Sequence, residues 1–450
     1  MNRNRIYLCL AHMSEAGLEQ KYIKEAFDTN WVVPLGPNVN GFEKDLEEFV
    51  NDVKVPELAV PEATRRAEGP TNNDGVSTGS TTCLNKRVVA LSSGTAAVHL
   101  GLIAAGVKAG DEVLVQSFTF CASTHPITYL GATPILIDSE PDTWNIDPDL
   151  LEAAIKDRIA KTGKKPKAII PVALYGMPYK ADRIMEIANR YEIPVIEDAA
   201  EGFGSRYKGQ VLGTFGKSGV LSFNGNKMIT TSGGGALVTA NEEEWREIMM
   251  YATQYRESYP YYHHEKIGYN YRMSNICAGI GRGQMTIVND HLAHHKHVQK
   301  MYEELLADVP GIHVHSQPAT GEYDSNYWLC TITIDENVKV KGQENAYKTI
   351  VTGAVGGAAG VIHAASSAVT DCQPNDNVEA LRVWLDQRSV EARPLWKPMH
   401  KQPVYKDAPA YVNGVSEALF KVGMCLPSGP YVSDEDVRYI ADCIKESIEL

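Results

Sequence analysis

From residue 87 to about residue 240 the chain alternates short apolar runs with helical stretches, joined by turns of small polar residues. The runs are RVVAL (87–91), DEVLVQ (111–116), ATPILID (132–138), KAIIPVAL (167–174) and IPVIEDAA (193–200). They are continuously apolar rather than alternating, the pattern of strands buried on both faces. TAAVHLGLIAAGV follows the first run, and residues 147–160 and 181–191 are further helical candidates. This succession predicts an α/β fold with a parallel or mostly parallel sheet covered by helices. Ligands in such sheets bind beyond the strand carboxyl ends. Chemistry is therefore expected just after residues 91, 116, 138, 174 and 197.

Residues 241–310 read as helical, and the last part, from about 311, as a smaller α+β unit. That unit contains the strand-like NYWLCTITI and ends on the helical DEDVRYIADCIKESIE. The expected division is a large unit over 1–290 and a smaller one over 291–450. Two segments interrupt it. Residues 53–86 are rich in Pro, Thr, Ser, Gly and Asn and read as a surface excursion. Residues 338–376 contain GAVGGAAGVIHAASSAV, whose small side chains suit either a mobile loop or a tightly packed helical hairpin. No internal repeat is present.

Composition narrows the function classes. A chain of 450 residues with 44% hydrophobic and 22% charged residues has material for a large core and is no disordered chain. Asp plus Glu number 56 against 43 Lys plus Arg, a net charge of −13, which argues against a general nucleic-acid binder. None of the eight cysteines forms a CxxC pair, so reduced thiols are expected rather than a disulfide frame or a zinc site. The N-terminal apolar stretch meets polar residues too soon for a signal peptide, and no run nears the ~18 apolar residues of a membrane span. A soluble cytoplasmic protein without a membrane partner is expected.

Four motifs fall at expected strand ends. SSGTAAVH (92–99) opens a helix with small and hydroxyl residues, which suits an anion. It equally suits a plain helix cap at Ser93 or Thr95. IPVIEDAAEGFGS sets Asp198 at a strand end beside Glu197 and Glu201, where it could face a cationic ring nitrogen, a metal or a ribose, or simply cap a turn. LSFNGNKMITTSGGGALV (221–238) holds Lys227 in a Gly-rich loop five residues after Ser222. A loop lysine is usually solvated, but one in a partly desolvated cationic site can attack a carbonyl. QSFTFCAS (116–123) puts Phe120 where a ring could stack on a planar ligand or join the core. Together they supply a phosphate cup, a stacking ring, an anion and a Schiff-base lysine, which is what pyridoxal 5′-phosphate needs.

With these motifs the chain resembles the DegT/DnrJ/EryC1/StrS family of sugar aminotransferases, on the type I pyridoxal-phosphate aminotransferase fold. Nine segments match in family order: WVVPLGPNVNGFE (31–43), ALSSGTAAVHLGL (90–102), GDEVLVQSFTFCAS (110–123), GATPILIDSEPDTWNID (131–147), IEDAAEGFGSRYKG (196–209), SFNGNKMITTSGGG (222–235), GYNYRMSN (268–275), ARPLWKPMHKQPVY (392–405) and CLPSG (425–429). The resemblance implies that Lys227 forms the Schiff base and then shuttles the proton. It implies that Asp198 pairs with the pyridinium nitrogen, Phe120 stacks on the ring, and Gly94, Thr95 and Ser222 hold the phosphate. Glu201 is expected near the ring hydroxyl. Asn270 is expected to reach the phosphate in a neighbouring subunit, so the homodimer shares its active sites. Trp396, Lys397 and His400 are expected to face the substrate.

SFNGNK and RPLWKPMH are most similar to members that aminate carbon 4 of a UDP-linked 4-keto-6-deoxy-N-acetylhexosamine. The implied reaction passes an amino group from L-glutamate through pyridoxamine 5′-phosphate to a nucleotide-linked keto-sugar, for surface polysaccharide or glycan synthesis. Two rivals stand beside it: a pyridoxal-phosphate-dependent deoxysugar dehydratase, in whose relatives a histidine replaces the lysine, and a non-catalytic cofactor-binding regulator. His291, His294, His295 and His297 crowd one expected helix at metal-ligand spacing, but no Cys or carboxylate accompanies them. An exposed or interface helix face is expected there, and no metal. His263 and His264 read as solvated, and the glycines 233–235 lack a dinucleotide-binding context.

Overall fold

The computed structural model describes residues 4–53, 85–347 and 372–449. Apart from their ends, the interruptions expected at 53–86 and 338–376 lie outside the described residues. The large sheet runs in the order Ala410–Tyr411, Thr133–Ile137, Glu112–Gln116, Ala168–Ile170, Ile196–Asp198, Ser218–Ser222, Gly235–Thr239, Arg87–Leu91. Its two halves join where Ile169 bridges Val195 and Val172 bridges Asp198, both parallel. Only Gly235–Thr239 is antiparallel to its neighbours. The loop 223–234 before it holds no crossover helix, so the chain returns as a hairpin. The mostly parallel sheet expected from the apolar runs is therefore present.

Two expected strands are shorter than their apolar runs. KAIIPVAL pairs regularly only over Ala168–Ile170, because Pro171 has no N–H for the ladder. IPVIEDAA contributes Ile196–Asp198. The helix expected at 147–160 spans Pro148–Thr162. Asp147 caps its start and Gly163 ends it at φ 70°. The helix expected at 181–191 spans Ala181–Tyr191. The stretch 241–310 is three helices, Glu242–Ala252, Asn275–Met285 and Val288–Leu306, with an irregular passage before the second. Helices Leu18–Asp28 and Pro37–Val50 were not legible in the apolar pattern.

Helix Pro37–Val50 covers the exposed edge of the sheet. Glu43 and Glu47 stand one turn apart on it, about 6 Å along its axis. Alternate residues of a strand are about 6.6 Å apart, so the two carboxylates match two outward N–H groups of Arg87–Leu91. Ala90 N–H donates to Glu43 Oε1 at 2.8 Å and Val88 N–H to Glu47 Oε1 at 3.1 Å. Edge donors that would otherwise invite another chain are thus satisfied. Arg272 closes the arrangement, donating to Glu43 and, at 2.9 Å, to the Ala90 carbonyl.

A second hydrophobic cluster packs on an antiparallel sheet ordered Ile312–Val314, Cys330–Ile334, Gly423–Leu426, Arg393–Pro394. It includes Val298, Tyr302, Ile332, Met424 and Ile440, together with Ile6 from the opposite end of the chain. Among the described residues no helix is long and apolar enough to cross a membrane.

Arg272 and Glu43 are both nearly enclosed, with side chains 8% and 10% exposed. Removing one partner leaves a buried charge unpaired. Arg272→Leu is expected to lower unfolding free energy by about 3 kcal/mol in denaturant titration. A loss under 1 kcal/mol would contradict this account of the sheet edge.

Candidate active site

Loops from four strand ends converge on one cleft. They bring Ser92, Ser93, Gly94 and Thr95 after the first strand, and Thr119, Phe120 and Ser123 after Glu112–Gln116. Asp198 and Glu201 arrive with Ile196–Asp198, and Ser222, Asn224, Asn226 and Lys227 with Ser218–Ser222. Trp328 and Trp396 complete the wall. The strand end at 138 takes no part. There Asp138 accepts backbone N–H groups from Asn413, Gly414 and Ser416 instead, and so ties down the segment that follows Ala410–Tyr411.

The helix Gly94–Ala104 starts inside the cleft. Ser93 caps it by accepting the Ala96 N–H at 3.0 Å. The first-turn N–H groups of Gly94 and Thr95 have no partner within the helix. Space there is tight: a Cβ on Gly94 would lie 3.0 Å from Ser222 Cβ, and one on Gly235 would lie 2.4 Å from the Gly94 nitrogen. Both glycines are needed for the close approach that brings Ser222 to the helix start.

Asp198 is 6% exposed. Its Oδ2 accepts from Ser123 Oγ at 2.6 Å and its Oδ1 from the Ala200 N–H at 3.1 Å. Burial still raises its carboxyl above the ordinary range, against those bonds and the pull of Lys227. Burial likewise raises Glu201, against the same lysine. Glu201 Oε2 accepts the Tyr175 N–H at 2.7 Å, and its Oε1 lies 3.3 Å from Lys227 Nζ. Lys227 Nζ also sits 3.9 Å from the centre of the Trp328 ring, a cation–π distance. Trp328 Nε1 donates to the Asn226 carbonyl at 2.6 Å and so ties the two loops together.

Gly94, Thr95, Phe120, Asp198, Glu201, Ser222, Lys227 and Trp396 therefore share one cleft. Phe120 is 53% exposed, with its ring 6.0 Å from that of Trp396. Three residues named from the sequence do not line it. Asn270 is exposed and borders a separate groove with Arg256 and Tyr259. Lys397 follows Trp396 but lies outside the lining. His400 anchors its segment: its backbone N–H donates to Ser117 Oγ at 3.2 Å, and that hydroxyl lies 2.7 Å from His400 Nδ1. The hydroxyl can give its proton to Nδ1, and burial lowers the imidazole's pKa, so His400 is a neutral brace.

Sequence reasoning missed Ser123, Tyr175 and Trp328. Ser123 stood inside the quoted QSFTFCAS, and Tyr175 directly after an expected strand end. Trp328 was read only as part of a strand. Of the exposed or interface face expected for the histidine helix, His297 is exposed against Asp434 and His294 half-buried, while His291 and His295 turn inward, 4% and 0% exposed. Among the described residues no group of three or more His, Cys, Asp or Glu side chains is placed to hold a metal ion.

These residues fit pyridoxal 5′-phosphate. The buried Asp198, costly to ionise alone, suits a cationic ring nitrogen. The cradle of Gly94 and Ser222 at a helix start suits a phosphate. Lys227 is the one amine among the lining residues. A carboxyl whose pKa rises on folding is harder to ionise in the folded state. Asp198's own contribution to the stability of the cofactor-free protein therefore falls as pH rises from the unfolded value, about 3.9, through the higher folded one. Asp198→Asn is expected to flatten that decline and to melt no lower than the parent at pH 8. A variant that gains stability only below pH 4 would contradict it.

Comparison with known proteins agrees with the geometry. The DegT/DnrJ/EryC1/StrS aminotransferase family matches residues 79–351 and 346–445. EpsN of Bacillus subtilis (strain 168), named as a pyridoxal phosphate-dependent aminotransferase, is 39% identical over 436 residues, 96% of this chain and 93% of its own. The GDP-perosamine synthase of Escherichia coli O157:H7 is 31% identical over 440 residues, 98% of each chain. The crystal structure of a DegT DnrJ EryC1 StrS aminotransferase from Brucella abortus superposes with a TM-score of 0.75 at 25% identity. That match covers 96% of this chain and 95% of the other. The large sheet and its antiparallel companion are thus the type I fold. The chain belongs to the DegT/DnrJ/EryC1/StrS aminotransferase family and is a pyridoxal-phosphate-dependent transaminase.

Proposed function

We propose that this transaminase moves the amino group of L-glutamate to the keto carbon of a nucleotide-linked sugar. The substrate proposed is a UDP-linked 4-keto-6-deoxy-N-acetylhexosamine, aminated at carbon 4. The observation that carries the reading is Lys227 in a cleft walled by Asp198, Glu201 and the helix start at Gly94. Relatives named for nucleotide-linked sugars support the substrate class: the GDP-perosamine synthases, and the UDP-2-acetamido-2-deoxy-3-oxo-D-glucuronate aminotransferase of Pseudomonas aeruginosa.

When bound, the cofactor supplies an electron sink for the substrate carbon. The chain's own groups do the rest. Lys227 Nζ takes a proton from the donor's α-carbon and later returns one to the sugar carbon. Asp198 holds the positive ring nitrogen. The N–H groups of Gly94 and Thr95, with Ser222 Oγ, hold the phosphate. Phe120 covers the ring, and Trp328 and Trp396 keep water from the reacting atoms. A histidine at position 227 would suit the dehydratase, so the lysine favours transamination.

The protein is acidic, so the sugar's diphosphate needs local cations; Lys397, beside Trp396, is assigned that role. The exposed Asn270 is assigned to the phosphate site of a second copy, which makes the working unit a cytoplasmic homodimer. The division near residue 290 and the substrate-facing segment 393–400 are part of the same proposal.

The test is a panel of UDP-, GDP- and dTDP-linked keto-sugars with L-glutamate, read by 2-oxoglutarate release and by NMR of the sugar product. Amination of the UDP-linked 4-keto sugar is expected, and Lys227→Ala should cut turnover at least about 10³-fold. Preference for another nucleotide would overturn the choice of sugar. Native-like turnover in the variant would overturn the assignment of the lysine.

A further inference from the structure

Helix Val288–Leu306 runs behind the wall that carries Lys227, with His291 and His295 one turn apart on its buried side. His291 Nδ1 lies 3.0 Å from the carbonyl of Met228, the residue after Lys227. His295 Nδ1 lies 3.1 Å from the carbonyl of Tyr327, the residue before Trp328. A carbonyl only accepts, so each imidazole carries its proton on Nδ1. Burial holds both rings neutral, His295 down to about 3.

The other nitrogen of each ring, Nε2, is buried with no partner among the described residues. An apolar side chain of similar size would fill the same space without burying an unpaired nitrogen. The feature that only histidine's Nδ1–H adds here is a donor aimed at a loop carbonyl. The two loops so gripped are those whose side chains touch, with the Lys227 amine 3.9 Å from the Trp328 ring. Tyr327 has a left-handed backbone, φ 48°, which a bulky residue adopts only when its surroundings hold it there.

We propose that His291 and His295 are positioning residues that act through the carbonyls of Met228 and Tyr327. They fix the Lys227 amine between the Trp328 indole and Glu201. Neither histidine touches the reacting atoms. Both set the direction from which the lysine approaches the cofactor's aldehyde, and then the carbon it protonates. The inference rests on the reading of Lys227 as the amine that bonds the cofactor.

The experiment compares His291→Leu, His291→Asn and His291→Gln in the full chain. An asparagine amide can place its N–H where Nδ1 stood; a glutamine amide reaches further, to the Nε2 position. The cofactor is first removed. The rate at which each protein captures added pyridoxal 5′-phosphate is then followed by visible absorbance, alongside the melting temperature. The Leu and Gln variants are expected to capture about tenfold or more slowly, and Asn within about threefold of the parent, since small misplacements of a reacting group carry large rate costs. In the reconstituted enzymes kcat should fall with KM for the amino donor nearly unchanged.

Equal capture by a folded Leu variant and the parent overturns the proposal. So does a loss in Asn as large as in Gln, which would mark a role in packing alone. If the Leu variant does not fold, the Asn–Gln comparison decides. Lys227→Ala separates this inference from its foundation: capture by that variant at the parent's rate would mean that the reading of Lys227, rather than of the histidines, has failed.

Discussion

The proposed chemistry depends on holding one amine, that of Lys227, in a fixed place among buried groups. Lys227 reaches into a wall where Asp198 and Glu201 are both buried and both reluctant to ionise. Its Nζ rests 3.3 Å from one Glu201 oxygen and 3.9 Å from an indole face. A carboxyl oxygen on one side and an aromatic face on the other both hold the amine in place, and such contacts are stronger where water is scarce. The lysine side chain is thus ordered where the proposed reaction needs it.

The rest of the fold serves that placement. A parallel sheet sends its loops to one end, and the sheet's first, second, fifth and sixth strands in chain order deliver the helix start at Gly94, Phe120, the two carboxylates and Lys227 there. The antiparallel strand Gly235–Thr239 returns the lysine loop to the core beside the start of helix Gly94–Ala104. That is why glycine at 235 and glycine at 94 are required together. Glu43 and Glu47 seal the sheet edge, so the strand before Gly94 is fixed from its open side. Tyr175 links the two walls, giving its N–H to Glu201 while its hydroxyl accepts the Trp396 N–H at 2.8 Å.

Much of this was legible from the residues. Continuous apolar runs gave away a sheet buried on both faces, and strand ends then pointed to Gly94, Phe120, Asp198 and Lys227. What remained hidden was hidden for physical reasons. Pro171 cuts a ladder that hydropathy alone extends. Helix Pro37–Val50 buries Asn38 and Glu43 on its packed face, which blurs the 3.6-residue pattern. Trp328 belongs to a loop that only tertiary contact brings to Lys227, far off in sequence. The histidines of Val288–Leu306 looked like a polar face because composition does not reveal that backbone carbonyls await them inside. His400, named beside Trp396, turns away to a buried serine although its neighbour lines the cleft.

The central claim is that one side chain, Lys227, bonds the cofactor. Its most direct test is borohydride reduction of the reconstituted protein, followed by proteolysis and mass spectrometry. The account predicts a reduced pyridoxyl adduct on the peptide carrying Lys227 and on no other lysine. An adduct on a different lysine, or a fully reconstituted protein that yields none, would contradict it.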